Sequence, residues 1–250
     1  MDVLIPDRRL GKAAPKFDPR TLRMAMYVDP AAFDKLPASI DWGKAWEALG
    51  KPWEMFGNDK YGDCTCAALG HSEQVWRSNA HTDEDAPVTE ADVVAFATLV
   101  GALEGANMLD VLNRYLTDGL AGEKPVAFVA VDPTRRELIK YAIATFGTAY
   151  IGVNLPVTAQ SQADWTYVPS TNGNEPGSWG GHAINAMAYD ADFISVVTWG
   201  QRKRLSWEFF DRYCDEAFAI LSDDWVSASG QSPSGFDLAA MQKDLGYIKR

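Results

Sequence analysis

The chain has 250 residues, 47% of them hydrophobic and 23% charged, with a formal net charge of −11. That length and balance suit one large domain or two small ones, each able to bury a core. An acidic surface disfavours nucleic acid as a partner unless one face is locally basic, and no apolar run approaches the ~18 residues that cross a bilayer.

The N-terminal stretch Met1-Asp2-Val3-Leu4-Ile5-Pro6-Asp7 lacks the charged start and long apolar core of a secretory signal. Three cysteines argue against a disulfide framework and for a reducing, cytoplasmic setting. Pro6, Pro15, Pro19 and Pro30 keep residues 1–35 from forming long helices. This segment reads as an arm that lies on the domain or reaches toward a protein partner. Leu36-Pro37-Ala38-Ser39-Ile40-Asp41-Trp42 opens the folded body.

A helix is predicted over 64–79, with Asp63 as its N-cap, Ala67, His71, Gln74 and Val75 on one face and polar residues elsewhere. Thr89-Glu90-Ala91-Asp92 has the form of a capping box, and Val93, Val94, Phe96, Ala97 and Val100 carry that helix to Gly101. A third helix is expected over 108–117, stopped by Asp118-Gly119. After Gly122 the pattern changes. Residues 126–131 read as a strand, and Asp132-Pro133 starts a helix carrying Leu138, Tyr141, Ala142 and Phe146 that stops at Gly147.

Strands are then predicted over 149–155, 182–189 and 193–199, the last two joined by the turn Asp190-Ala191-Asp192. Residues 160–178 form a long polar loop of the kind that borders a site. The basic cluster Gln201-Arg202-Lys203-Arg204 reads as a solvated turn. Ser206 is expected to cap a helix to about Leu221, with Phe210, Cys214, Ala217, Phe218 and Leu221 buried. From Asp223 a Ser/Gly-rich tail follows, with a short helix over 238–245. The front half, about 55–122, is thus helical, and the back half, about 123–222, mostly sheet, without a linker between them.

Chemistry gathers at Gly57-Asn58-Asp59-Lys60-Tyr61-Gly62-Asp63-Cys64. A thiol in the first turn of a helix feels the positive end of the helix dipole, which favours the thiolate. Asn58 supplies an amide six residues earlier, and His182 supplies an imidazole from the sheet half. Together these are the parts of a thiol nucleophile site. The competing reading keeps Cys64 as an inert buried thiol, His182 as a core histidine, Asn58 as a turn residue and Trp179 and Trp199 as packing. Zinc on Cys64, Cys66, His71 and His81 is set aside, because Cys64 and Cys66 on one helix point about 200° apart. Cys66 and Cys214 read as core. No metal and no cofactor is expected.

With this layout, the chain resembles the papain-like cysteine peptidases over roughly residues 36–222. The opening Leu-Pro…Asp41-Trp42 is similar to the start of a mature papain-type domain. Asn58 stands at the place of the family's oxyanion glutamine, and Gly62-Asp63-Cys64 at the place of its Gly-Ser-Cys. Gly147-Thr148-Ala149-Tyr150-Ile151-Gly152-Val153 is similar to a family strand, and Gly181-His182-Ala183-Ile184 to its histidine strand. Thr198-Trp199-Gly200 is similar to the Ser-Trp-Gly that follows the family's orienting asparagine. Thr65 replaces an aromatic residue, and Asn58 is one methylene short of glutamine. Counting back from Trp199 puts Val197 at the asparagine position, with Thr198 as the alternative if the hairpin is one residue short.

The resemblance implies an α+β fold in which a nucleophile helix packs against an antiparallel sheet or barrel lobe, with a cleft between. It implies a thiol hydrolase, most simply a peptidase acting through an acyl-thioester on a peptide or protein substrate. Cys64 is then nucleophile, His182 base and Asn58 an oxyanion donor, while Asp63, Trp179, Gly180, Gly181, Thr198 and Trp199 border the cleft. The motif variants look like those of bacteria and their phages, which adds a virion-associated location to the cytoplasmic one. The rival expectation is an inactive papain-like module that binds or builds, such as a phage particle component.

Overall fold

The structure, a computed structural model, describes residues 8–80, 87–169, 172–222, 225 and 238–248. Its strands are β1 (Ile40–Asp41), β2 (Pro125–Val131), β3 (Ala149–Leu155), β4 (Gly180–Tyr189), β5 (Phe193–Thr198), β6 (Gln201–Ser206) and β7 (Cys214–Ser222). The helices are α1 (Gly43–Ala48), α2 (Cys64–Ala80), α3 (Glu90–Val100), α4 (Met108–Asp118), α5 (Arg136–Phe146), α6 (Trp207–Tyr213) and α7 (Leu238–Ile248). All strand pairs are antiparallel, in the order β2-β7-β3-β4-β5-β6 with β1 added to β4, and the sheet does not close.

Period-2 alternation divides the core between the two faces of this sheet. Ile151, Val153, Ile184 and Ala186 turn to one face, where α5 and α6 cover them with Ile139, Ile143, Phe209 and Phe210. Tyr150, Ala183 and Phe218 turn to the other and meet Cys64, Ala68 and Leu112 of α2 and α4. An α+β architecture with a helical side and an antiparallel sheet side is therefore what the sequence pattern predicts and what the chain forms. No helix among the described residues is long and apolar enough to cross a membrane.

Local signals act where they were expected. Thr89 and Asp92 make the reciprocal capping box of α3, and Gly101 ends it in the left-handed region. Asn107 caps α4 through Leu109 N and Asp110 N. Three expectations are corrected. First, α2 is no surface helix: every residue from Cys64 to Ser78 is buried. Its charged pair is neutralised internally, because Arg77 Nε donates to Glu73 Oε2 at 3.3 Å and Arg77 Nη2 to the Ala121 carbonyl at 3.0 Å. Tyr115 Oη donates to the other Glu73 oxygen.

Second, the helix predicted from Ser206 to Leu221 ends at Tyr213, and β7 follows. Ala217, Ala219 and Leu221 face one core cluster while Phe218 and Ile220 face the other. A strand buried on both faces is a continuous apolar run, which periodicity does not separate from a helix. Third, residues 201–204 are not a turn but part of the edge strand β6. Arg202 there reaches Asp41 at 2.6 Å and Glu47 at 3.1 Å, and Arg204 pairs with Asp164. The tail helix α7 docks through fully buried Met241, and Tyr27 Oη donates to its Asp244 at 2.8 Å.

Candidate functional site

Cys64 is the first residue of α2, the helix packed on β4. Its Sγ accepts the Ala183 backbone N–H at 3.4 Å, so the thiol rests on the residue next to His182. The helix that starts at Cys64 and the strand that carries His182 are thus in contact. His182 Nε2 is hydrogen-bonded to Thr198 Oγ1 at 2.6 Å, while Nδ1 has no hydrogen-bond partner among the described residues. Thr198, on β5, is thus the side chain that holds this ring nitrogen. Val197 faces the opposite way, into a cluster with Val75, Met187 and Ala188.

A two-residue hairpin explains why Thr198 can do this. Thr198 pairs with Gln201, leaving Trp199 and Gly200 as the loop, with φ of 46° and 65°. Positive φ at both positions is the type I′ geometry that matches strand twist. It is unfavourable for a tryptophan. The indole nevertheless stacks on the His182 ring, with centroids 4.2 Å apart and planes 12° apart. Trp179 packs against Trp199 at 5.5 Å. These rings seal the imidazole from water, and burial pushes the His182 pKa down to about 3.

Asn58 and Asp63 also sit at the mouth of α2, both buried. The Asn58 amide is spent locally: Nδ2 donates to the Tyr61 carbonyl at 3.1 Å and to Asp63 Oδ1 at 3.3 Å. Asp63 Oδ2 has no hydrogen-bond partner among the described residues. Burial drives this carboxyl up to about 7, partly offset by the Asn58 bond. His71 faces away, packed on Phe56 with Nε2 2.8 Å from the Glu54 carbonyl. Cys66 is buried beside Thr65, and His81 lies outside the described residues.

The sheet and helices match known structures. No family model and no curated protein matches this chain. Among solved structures it is similar to xylellain, a cysteine protease from Xylella fastidiosa, at TM-score 0.66 and 14% identity over 86% of this chain and 96% of that one. A procathepsin B from Trypanosoma congolense matches at TM-score 0.63 and 11% identity over 87% of each chain. Procathepsin L2 from Tenebrio molitor larval midgut matches at TM-score 0.56 and 14% identity, over 74% and 68% of the two chains. This chain has the papain-like fold.

Within that papain-like fold, sequence reading missed one feature: the N-terminal segment runs across the thiol. Arg9 N donates to the Asn58 carbonyl at 3.0 Å, Lys12 N to Gly181 O at 3.1 Å and Ala13 N to Ala106 O at 2.9 Å, while Ala106 N donates to Gly11 O at 2.8 Å. Trp199 Nε1 donates to the Arg9 carbonyl at 3.1 Å, and the Arg8 guanidinium lies over the same indole. The polar backbone of Gly11 comes near enough to the Cys64 thiol to favour its ionised form. Covered in this way, the thiol is 1% exposed. Burial pushes its pKa up to about 11, against the smaller help of the Ala183 and Gly11 backbone groups.

Lys12 fixes the segment more deeply. Its Nζ lies 2.9 Å from Asp215 Oδ2 and 3.2 Å from Glu216 Oε1, at the start of β7. No local signal marks Gly11, Lys12, Asp215 or Glu216 as a group. The two acids fall where the sequence pattern suggested the polar face of a helix.

Proposed function

We propose that the chain is a thiol hydrolase, most simply a cysteine peptidase, held closed here by its own N-terminal segment. One observation carries this reading. Cys64 rests against the strand of His182, whose Nε2 is tied to Thr198 and whose Nδ1 has no hydrogen-bond partner among the described residues. A base tied at one nitrogen and free at the other can take the thiol proton at the free one. The resulting thiolate adds to an amide carbonyl, and the imidazolium returns the proton to the departing amine. Water then cleaves the thioester, releasing acid and free thiol.

The oxyanion of the tetrahedral intermediate is served by the Cys64 N–H at the open end of α2 and by the Asn58 amide, once the latter turns from Tyr61 and Asp63. Such donors contribute about 3 kcal/mol each in comparable sites. The protein fold of xylellain and the two procathepsins supports this reading at the level of architecture.

In the closed state both partners are neutral near pH 7, because burial raises the thiol and lowers the imidazole. Displacing the segment readmits water and lets the thiolate–imidazolium pair form. The test is the pH profile of Cys64 alkylation in Gly11→Ala, whose added methyl the closed segment cannot accommodate, with and without His182→Ala. Fast labelling at pH 6 that falls to the ordinary thiol rate in the double variant is the expected result. Identical profiles in the two proteins, both rising only near the usual thiol pKa, would leave an inert fold that binds or builds.

A further inference from the structure

Lys12 is an ammonium inside a pocket with more negative charge than it supplies. Its side chain is fully buried, yet two carboxylates meet it. Glu216 is 7% exposed, and among the described residues neither of its oxygens has a hydrogen-bond partner, so the Lys12 ammonium at 3.2 Å is what balances its charge. Asp215 Oδ2 is oriented by Asn154 Nδ2 at 2.9 Å. Isolated, two such acids would be costly to bury, and a cation restores the balance.

The shape of the pocket is as specific as its charge. Gly152 on β3 forms its wall: a Cβ there would lie 2.1 Å from Lys12 Cε and 2.8 Å from both Met108 Sδ and Glu216 Cγ. Any side chain at 152 would therefore evict the lysine stem. A cavity of about 220 Å³ adjoins the two acids, lined also by Lys16, Leu109, Ala130 and Phe218. It leaves room for a head group larger than an ammonium.

From this we propose that the Asp215–Glu216 pocket is the specificity pocket of the cleft, taking a lysine or arginine side chain of the substrate where Lys12 now sits. The inference rests on the thiol hydrolase reading, and deepens it by naming the substrate class as peptides with a basic residue. Lys12 then holds a place that a substrate must win, next to a thiol reached by the residue beside it. Asp215 and Glu216 bind the substrate side chain and take no part in bond cleavage.

Two measurements on full-length Lys12→Ala test this. The first compares Cys64 labelling by tripeptidyl chloromethyl ketones carrying one lysine, scanned through the three positions, with norleucine counterparts of equal length and no charge. Lysine should outpace norleucine by more than tenfold at one position. Adding Asp215→Asn and Glu216→Gln should bring the lysine-to-norleucine ratio close to one. Measurable labelling at equal rates at every position, or a lysine preference that survives the double substitution, overturns the proposal.

The second measurement needs no reactive thiol. The melting temperature of Lys12→Ala is followed with n-butylammonium and with neutral n-butanol. A rise of several degrees with the cation alone, lost in Asp215→Asn/Glu216→Gln, supports the pocket even if no ketone labels Cys64, in which case only the hydrolase reading fails. No rise with the cation, together with no lysine preference, overturns the pocket while ketone labelling of Cys64 leaves the hydrolase standing.

Discussion

Gly11→Ala is the sharpest perturbation of the closed state. A Cβ at position 11 would lie 1.6 Å from the Gly62 carbonyl oxygen, well inside contact distance. That oxygen belongs to backbone pinned by Gly62 N donating to Leu103 O at 2.7 Å, so it cannot rotate away as a side chain would. Residue 11 must back out, and the bonds at Gly11 O, Lys12 N and Ala13 N go with it. At about 1 kcal/mol net for each hydrogen bond, the seat weakens by about 3 kcal/mol. The open fraction then rises about a hundredfold, at about 1.4 kcal/mol per tenfold. The assay is the rate of Cys64 alkylation by iodoacetamide at pH 8, read by peptide mass spectrometry with Cys66 as internal reference. Cys64 should react about a hundredfold faster in the variant and Cys66 no faster. A Cys64 rate within threefold of wild type, at an unchanged melting temperature, would refute the argument that the segment guards the thiol.

Other substitutions probe the site itself. Thr198→Val in the Gly11→Ala background removes the Nε2 partner of His182; a hydrogen bond to a charged imidazole contributes about 1.5–3 kcal/mol, so labelling at pH 6 should slow about 10- to 100-fold. An unchanged rate would show that Trp199 alone orients the ring. Val197→Asn should restore nothing, since Val197 points into the Val75–Met187 cluster; urea unfolding should instead show a loss of about 1–3 kcal/mol from an unpaired buried amide. Asp63→Asn tests a pH dependence. The folded pKa of Asp63 is raised from 3.8 to about 7 by burial, so its contribution favours folding below about pH 4 and fades as pH rises through about 7. The asparagine variant should therefore gain in urea midpoint over wild type at pH 8, and that gain should shrink at pH 4; a constant difference across this range would contradict the assignment.

Much of this was legible because the decisive signals are local. The Thr89–Asp92 box and the strand Ala149–Leu155 each follow from caps or short apolar runs at their own positions, whereas the Asp63 carboxylate, expected to cap α2, is instead engaged by Asn58 through Oδ1. Cys64 comes to lie against the strand that carries His182, because a helix start and a strand motif bracket each of them. What escaped depends on partners distant in sequence. β7 is a strand because β2 and β3 flank it, and nothing within Cys214–Ser222 says so. The choice of Thr198 over Val197 turns on a two-residue loop that sets which side chain faces the ring. Lys12 and Asp215 stand 203 positions apart, and no spacing rule connects them.

Because the segment over Cys64 belongs to the same chain, its occupancy of the cleft is a unimolecular equilibrium. Dilution leaves it unchanged, unlike an inhibitor supplied by a separate molecule. Tethered by a short stretch of chain, such a segment acts at an effective concentration in the millimolar range. A free peptide that binds the cleft equally well would reach half-occupancy only at comparable concentration. On the hydrolase reading proposed above, the tether sets a concentration threshold that any competing peptide must exceed.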